Sequence, residues 1–333
     1  MVEFLLRFKE AKFMFRSVLI YLSKAEWARR LVTRWKIAWR VAGRFVAGES
    51  ADDAIRTIEE LNQKGICATL DHLGENVNNP DEARQAADEV LAILDEIDQK
   101  GVRSGVSIKL SQIGLLLDEK LCEQNLRRIL ERAQKLDNFV RIDMEDSPVT
   151  EVTLRLFRKM REEGFADNVG IVIQAYLYRS EEDIRQLMEK QARVRLCKGA
   201  YSEPSQVAFP RKADVDDNFD LLTKLLIDGA LEAGSPKVSD CGCFPPIPAI
   251  ATHDEARIEF AKSYAREVGL PKEALEFQML YGIRRNLQEQ LVADGYPVRV
   301  YVPYGTEWYP YFVRRLAERP ANLWFFISNF FRR

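Results

Sequence analysis

The chain has 333 residues, 47% hydrophobic and 30% charged, enough apolar material for a large core and a composition that excludes wholesale disorder. Two histidines cannot build a His-rich metal centre, and five scattered cysteines (Cys67, Cys122, Cys197, Cys241, Cys243) fit a reducing compartment rather than a disulfide framework. The net charge of −2 averages two unlike parts: residues 1–44 carry eleven Lys/Arg against three Asp/Glu, and the remainder carries 38 against 48.

In the first part, Phe4, Phe8, Ala11, Phe15 and Leu19 recur at helical steps, as do Trp27, Leu31, Trp35, Ala38 and Ala42. Arg7, Lys12, Arg16, Arg30 and Arg34 fall largely off those stripes. A further helix is predicted from Ala51 to Lys64, ended by Gly65. No apolar run approaches the ~20 residues of a membrane span. The first residues lack a charged-then-apolar leader with a cleavage site, so a cytoplasmic location is expected.

From Ile66 the rhythm changes to short β-rich runs alternating with amphipathic stretches. The predicted strands are Ile66–Leu70, Val106–Leu110, Val140–Met144, Ile171–Ala175, Val194–Lys198, Ile247–Thr252, Glu276–Leu280 and Val298–Val302. Helix starts follow them: Asn79-Pro80-Asp81-Glu82 combines an N-cap, a first-turn proline and capping acids. Ser147-Pro148 and Ser180-Glu-Glu-Asp are expected to cap two later helices. Repeated strand–helix units imply parallel pairing through crossovers, and eight of them imply an α/β fold, the (β/α)8 barrel. The expected organisation is an N-terminal helical arm over 1–64, a barrel over 65–322 and a tail over 323–333. The longer interval from Lys198 to Ile247 reads as a βα loop plus one helix.

Barrel strands alternate between lumen and helix layer. Ser107 and Lys109 oppose Val106 and Ile108; Arg141 and Asp143 oppose Val140 and Ile142; Arg195 opposes Val194 and Leu196; Arg299 and Tyr301 oppose three valines. The lumen near the C-terminal strand ends should therefore gather Lys109, Asp143, Gln174, Arg195 and Tyr301. Charge inside a barrel is costly unless paired, and active sites of this fold lie at those strand ends. Lys109 and Arg195 against Asp143 leave surplus positive charge that an anionic ligand would balance. Weaker signals are Lys198-Gly199-Ala200, which is no dinucleotide fingerprint, and Thr252-His253-Asp254 at a helix start, where His253 is equally a cap or an anion contact. Arg314 and Glu318 are spaced for a surface ion pair. Cys241-Gly-Cys243 is too lone a pair for zinc.

The ordered set Asp71-His-Leu-Gly-Glu-Asn-Val77, Ser107-Ile-Lys-Leu110, Arg141-Ile-Asp-Met-Glu-Asp146, Val172-Ile-Gln-Ala-Tyr176, Arg195-Leu-Cys-Lys-Gly-Ala-Tyr201, Ala251-Thr-His-Asp254, Phe277-Gln-Met-Leu-Tyr-Gly282, Val300-Tyr-Val-Pro-Tyr-Gly305 and Arg314-Arg-Leu-Ala-Glu318 resembles the proline dehydrogenase family. The resemblance is to the short monofunctional bacterial form, with no room for an aldehyde dehydrogenase module. It implies FAD-dependent oxidation of L-proline to Δ1-pyrroline-5-carboxylate, with hydride passing to flavin N5 and a quinone reoxidising the flavin. It assigns Asp143 and Arg195 to the reaction centre, and Lys109, Arg314 and Arg315 to the proline carboxylate. Tyr301 would pack on the proline ring. Met144, Gln174, Lys198, Gly199, Ala200, Thr252 and His253 would bind FAD, and Glu75 would pair with Arg314 as a gate. No metal and no nucleic acid are implied; a pyrroline-5-carboxylate dehydrogenase partner is. The basic arm would bring the flavin to quinone at the inner face of the membrane. Ser202 departs from the family pattern, in which a bulkier residue follows Tyr201. The alternative from another class is a Schiff-base lyase using Lys109 or Lys198 as nucleophile; a third is a binding protein docked through its basic arm.

Overall fold

A computed structural model describes residues 42–74, 77–201 and 203–318. The amphipathic patterns before Ala42, the gate residue Glu75, Ser202 and the tail 323–333 lie outside the described residues. Eight parallel strands close in sequence order into a barrel: β1 Cys67–His72, β2 Ser104–Ile108, β3 Val140–Ile142, β4 Val169–Gln174, β5 Val194–Cys197, β6 Pro248–Ala251, β7 Glu276–Leu280 and β8 Val298–Tyr304. The helices are α1 Ala51–Gln63, α2 Pro80–Lys100, α3 Glu119–Lys135, α4 Ser147–Met160, α5 Ser180–Glu189, α6 Lys212–Glu232, α7 Glu255–Val268, α8 Arg285–Ala293 and α9 Trp308–Glu318. As the spacing predicts, one helix, α6, fills the long β5–β6 interval.

Two strand ends differ from expectation in a way that positions the site. β2 stops at Ile108 because Lys109 and Leu110 open a turn, their carbonyls accepting from Gln112 N–H (3.1 Å) and Leu115 N–H (2.9 Å). β3 stops at Ile142, and Asp143 N–H still reaches Ile108 O at 2.8 Å. Lys109 and Asp143 thus stand just above the last ladder bonds.

Asn79 caps α2 as expected, its side chain accepting from the N–H groups of Asp81 and Glu82, and Gly101 ends the helix at φ 63°. The serine caps are a correction. Asp146 and Arg179 hold the cap positions of α4 and α5, with no side-chain cap bond. Ser147 is drawn elsewhere: its N–H (2.8 Å) and hydroxyl (2.5 Å) donate to Glu203, a carboxylate of the β5–α6 loop. Ser180 Oγ donates to Leu177 O at 2.7 Å.

One parity of the strands packs on the helices: Ala68 and Leu70, Val106 and Ile108, Val140 and Ile142 are all at most 2% exposed and share one core with Ala54, Ile55 and Ile58 of α1. A second apolar cluster covers the C-terminal end of the barrel beside β8. It joins Ala42, Phe45 and Val46 to Leu73, Ile283 and the α9 residues Trp308, Tyr309 and Phe312. Backbone bonds from Ala47 N–H to Pro303 O (2.8 Å) and from Gly305 N–H to Gly48 O (3.0 Å) tie the 42–48 segment down. Gly282 is what permits this: its φ is +75°, and a Cβ there would stand 1.5 Å from Arg44 O. Gly282→Ala is expected to cost roughly 2–4 kcal/mol, read as a lower urea midpoint at unchanged slope. A midpoint equal to that of the parent protein would mean the segment simply moves aside.

Candidate active site

The strands place Asp143 at the centre of a buried polar network. Its Oδ1 accepts from Ser107 Oγ and Arg195 Nη1, each at 2.9 Å, and its Oδ2 accepts from Tyr301 Oη at 2.8 Å. Lys109 Nζ lies 4.0 Å from Oδ2. The Arg195 guanidinium also donates to Ser107 Oγ (3.1 Å) and Gln278 Oε1 (2.5 Å) and stands 5.3 Å from the Tyr301 ring centroid. Side chains from β2, β5 and β8 therefore converge on one carboxylate. Burial first, then the nearby charges of Asp143 and Asp71, raise the Tyr301 phenol well above its ordinary range, so it remains a donor.

The expected surplus of positive charge is not found. Asp71, fully buried, accepts from Lys109 Nζ at 3.0 and 3.2 Å, so Lys109 and Arg195 are matched by two carboxylates. The expected strand, Ile66–Leu70, ends two residues before β1 does, at His72; in β1, Thr69 and Asp71 share the lumen parity. Burial pushes the Asp71 carboxyl up and Asp143 adds to the push, while the Lys109 ammonium opposes both.

Below this layer lies a second one, in which strand parity indicates Arg299 for the lumen but sequence reasoning missed Glu276 and Gln278. Glu276 of β7 accepts from Arg299 Nε at 3.0 and 3.2 Å and from Nη2 at 3.1 Å, with neither side chain more than 2% exposed. Gln278 Nε2 donates to Glu276 at 2.5 Å, which links this pair to Arg195. The alternation of Glu276 and Gln278 with Phe277 and Met279 was a usable signal. Arg141, given a place beside Asp143 by parity, sits deeper: its Nη1 donates to Ile171 O (3.0 Å) and Arg193 O (2.6 Å). Burial, reinforced by Arg195, holds its pKa well below the ordinary arginine value.

The mouth is built by the segments after β3–β6. Gln174 Nε2 donates to Met144 O at 3.1 Å, and its Oε1 is buried without a partner among the described residues. Gly199 has φ +107°, and a Cβ there would meet the Tyr176 ring at 2.3 Å, so backbone approaches closely where a side chain cannot fit. Ala200, next to it, is exposed. Lys198 Nζ donates to Asp216 (2.5 Å) and Asp254 (2.6 Å). Thr252 is buried and its hydroxyl accepts from Asp254 N–H at 3.1 Å. The cap of α7 is Asp254, through Ala256 N–H, and His253 Nε2 accepts from Leu280 N–H at 3.1 Å. Both candidate Schiff-base lysines are thus engaged with carboxylates, unlike a nucleophilic lysine kept desolvated or beside another cation.

Arg314 and Arg315 lie half-buried on α9, whose apolar face packs on Leu73 and Ile283, residues that follow β1 and β7. That places the helix at the mouth end of the barrel, the condition under which two consecutive arginines can serve one ligand. The Arg315 guanidinium stands 5.1 Å from the Tyr311 ring centroid.

The proline dehydrogenase family model matches residues 54–327. Proline dehydrogenase 1 of Bacillus subtilis (strain 168) is 41% identical over 324 residues, which cover 96% of this chain and 100% of that protein. The proline dehydrogenase of Deinococcus radiodurans is 43% identical over 294 residues, covering 87% of this chain and 90% of that one. Among solved structures, proline utilization A (PutA) from Bdellovibrio bacteriovorus inactivated by N-propargylglycine superposes with a TM-score of 0.76 at 28% identity, over 84% of this chain. This chain spans 33% of that PutA chain.

Proposed function

The chain belongs to the proline dehydrogenase family and oxidises proline, and from that premise we propose which residues perform the reaction and with what cofactor and acceptor. The observation that carries the assignment is the convergence of Arg195, Ser107 and Tyr301 on Asp143, with Lys109 beside it, at the C-terminal strand ends of a closed barrel.

FAD fits the residues at the mouth. The orphaned Gln174 Oε1 is an acceptor suited to a ring or ribose N–H or O–H donor, and the side-chain-free backbone at Gly199 lets a flat or phosphorylated group approach. Met144, Gln174, Lys198, Gly199, Ala200, Thr252 and His253 would hold it. Bound FAD supplies the two-electron acceptor for the hydride that leaves the proline ring carbon next to nitrogen. The chain's own residues do the rest. Lys109, Arg314 and Arg315 hold the carboxylate and set the ring's orientation. Asp143 fixes the Arg195 guanidinium, so that a preorganised cation faces the negative charge that builds up during transfer, without reorganisation cost. Tyr301, kept as a phenol and hydrogen-bonded to Asp143, closes one side of the ring site against water. Proline nitrogen loses its proton before or on binding, since among the described residues of this network the carboxylates are each paired with a cation or donor.

The product is Δ1-pyrroline-5-carboxylate, and a quinone takes the electrons. A separate pyrroline-5-carboxylate dehydrogenase would consume the product, a reading supported by similarity to the bifunctional protein PutA of Escherichia coli, which is 29% identical over 322 residues. Among the described residues no helix is long and apolar enough to cross a membrane. The composition of residues 1–44, eleven Lys/Arg against three Asp/Glu, supports peripheral contact with an anionic inner-membrane face, where a lipid quinone would be met. Equal pelleting with anionic vesicles by the full chain and by a chain lacking 1–41 would remove that role.

The purified protein is expected to be yellow and to bleach on anaerobic addition of proline. A colourless protein that FAD cannot reconstitute overturns the cofactor. Arg314→Met and Arg315→Met are each expected to raise the proline KM by about 10- to 100-fold, the loss of one charge-assisted contact, with flavin content unchanged. An unchanged KM removes them from the carboxylate site.

A further inference from the structure

At the opposite, N-terminal end of the barrel, the residues Ser239 to Phe244 close a tight turn that proline oxidation does not use. Gly242 N–H donates to Ser239 O (2.8 Å) and Ser239 N–H to Phe244 O (3.2 Å). Gly242 has φ +71°, and a Cβ on it would meet Arg103 Nε at 2.7 Å and Cys67 Sγ at 2.8 Å. Arg103 Nε is buried with no hydrogen-bond partner among the described residues. Arg299 Nη2 donates to Gly242 O at 2.8 Å. Two guanidinium groups flank the turn that carries Cys241 and Cys243: Arg299 favours ionisation of the Cys243 thiol, whereas the charge acting on Cys241 is the Asp137 carboxylate, which disfavours it.

The two thiols are unlike. Cys241 is exposed and Cys243 buried. Partial burial works against ionisation of Cys241. It is outweighed by the Ser239 hydroxyl at 3.1 Å, Cys243 N–H at 3.4 Å and the Cys243 thiol, and the Cys241 pKa falls below the ordinary thiol value. Burial, then the Cys241 sulfur, pushes Cys243 up to about 12. An exposed thiol, more acidic than usual, thus sits beside a protonated neighbour whose S–H donates to Cys241 O at 3.7 Å. Two residues span at most about 7 Å even when extended, and the left-handed Gly242 folds the chain back, so the pair is within bridging reach.

We propose that Cys241-Gly242-Cys243 is a dithiol modification site, oxidised reversibly by a hydroperoxide to a Cys241–Cys243 disulfide that perturbs the Arg299 anchor of the active-site network. The Cys241 thiolate attacks the peroxide: an S–O bond forms, the O–O bond breaks, and after protonation the leaving oxygen departs as water from hydrogen peroxide or as an alcohol from an organic hydroperoxide. Cys243 sulfur then attacks Cys241 sulfur; the S–S bond forms, the S–O bond breaks, and the departing hydroxide takes the Cys243 thiol proton and leaves as water. Two thiols lose two electrons and the peroxide gains them. Closing the small ring turns the Gly242 peptide, whose carbonyl holds Arg299. From Arg299 the buried bonds run through Glu276 and Gln278 to Arg195. The kinetic consequence rests on the role proposed for Arg195; the chemistry at the turn does not.

The full-length protein is treated with hydrogen peroxide, alkylated with N-ethylmaleimide and analysed by peptide mass spectrometry, with proline turnover read by a dye acceptor. The expected result is an unalkylated 241–243 peptide lighter by about 2 mass units, reverted by dithiothreitol. Turnover is expected to fall about 2- to 30-fold and to recover on reduction. Cys241→Ser keeps basal turnover and loses the peroxide response, and Cys243→Ser leaves a dimedone-reactive sulfenic acid on Cys241. Full alkylation of both cysteines after peroxide, or pairing with Cys67 instead, overturns the site. A disulfide with unchanged turnover overturns the coupling. If Arg195→Met is inactive in the same assay, that failure belongs to the relay and not to the role of Arg195.

Discussion

Arg195→Met is expected to lower kcat/KM for proline by about 100- to 1000-fold, with the barrel still folded. The guanidinium is the cation that three strands hold in place: Asp143 and Ser107 from one side, Gln278 from another, and the Tyr301 ring stacked near it. Methionine fills similar volume and leaves Asp143 with Ser107 and Tyr301 as donors, so the loss is electrostatic more than steric. Lys109, 4.0 Å from Asp143, is engaged with Asp71 and cannot take over the position. Circular dichroism and flavin content check the fold; steady-state kinetics with a dye acceptor check the rate. A kcat/KM within about threefold of the parent protein removes Arg195 from the reaction centre.

Arg299→Met is expected to be the most damaging of the substitutions to stability, by about 3–5 kcal/mol. It strands Glu276, a fully buried carboxylate whose remaining donor is the Gln278 amide. It also releases Ala68 O and Gly242 O, which accept from the same guanidinium at 2.9 and 2.8 Å. For a domain of this size the melting temperature should fall by roughly 10 °C. The double change Glu276→Gln with Arg299→Met should recover part of the loss, because it removes the uncompensated charge while keeping the amide able to bond Gln278. A melting temperature that stays level in the single variant would mean that water reaches Glu276.

The candidate site was legible to the extent that strand alternation governs it. Period-two parity put Lys109, Asp143, Arg195 and Tyr301 on the lumen side before any pairing was known, and the structure brings them around one carboxylate. Parity failed where a strand end was misjudged. Ending the first strand at Leu70 hid Asp71 and produced a charge surplus that does not exist. The two serine caps failed for different reasons: Ser147 bonds an acceptor that tertiary structure brings close, Glu203, 56 positions away in the chain, while Ser180 bonds the local carbonyl of Leu177.

The sequence by itself determined the barrel, because the strand–helix alternation and the apolar parity of each strand are local properties that eight repeats make consistent. It also determined the lumen face of Lys109, Asp143, Arg195, Arg299 and Tyr301. Depth and partnership were decided by the tertiary structure alone. Register across the closed sheet sets Gln278 opposite Arg299 and Asp71 opposite Ser107, and strand tilt then brings Arg195 to Gln278, 83 positions later in the chain. A charge on a lumen face has no energy of its own until its neighbours are known. Burial costs it several kcal/mol, and only the counter-charges and donors delivered by other strands decide whether that cost is offset.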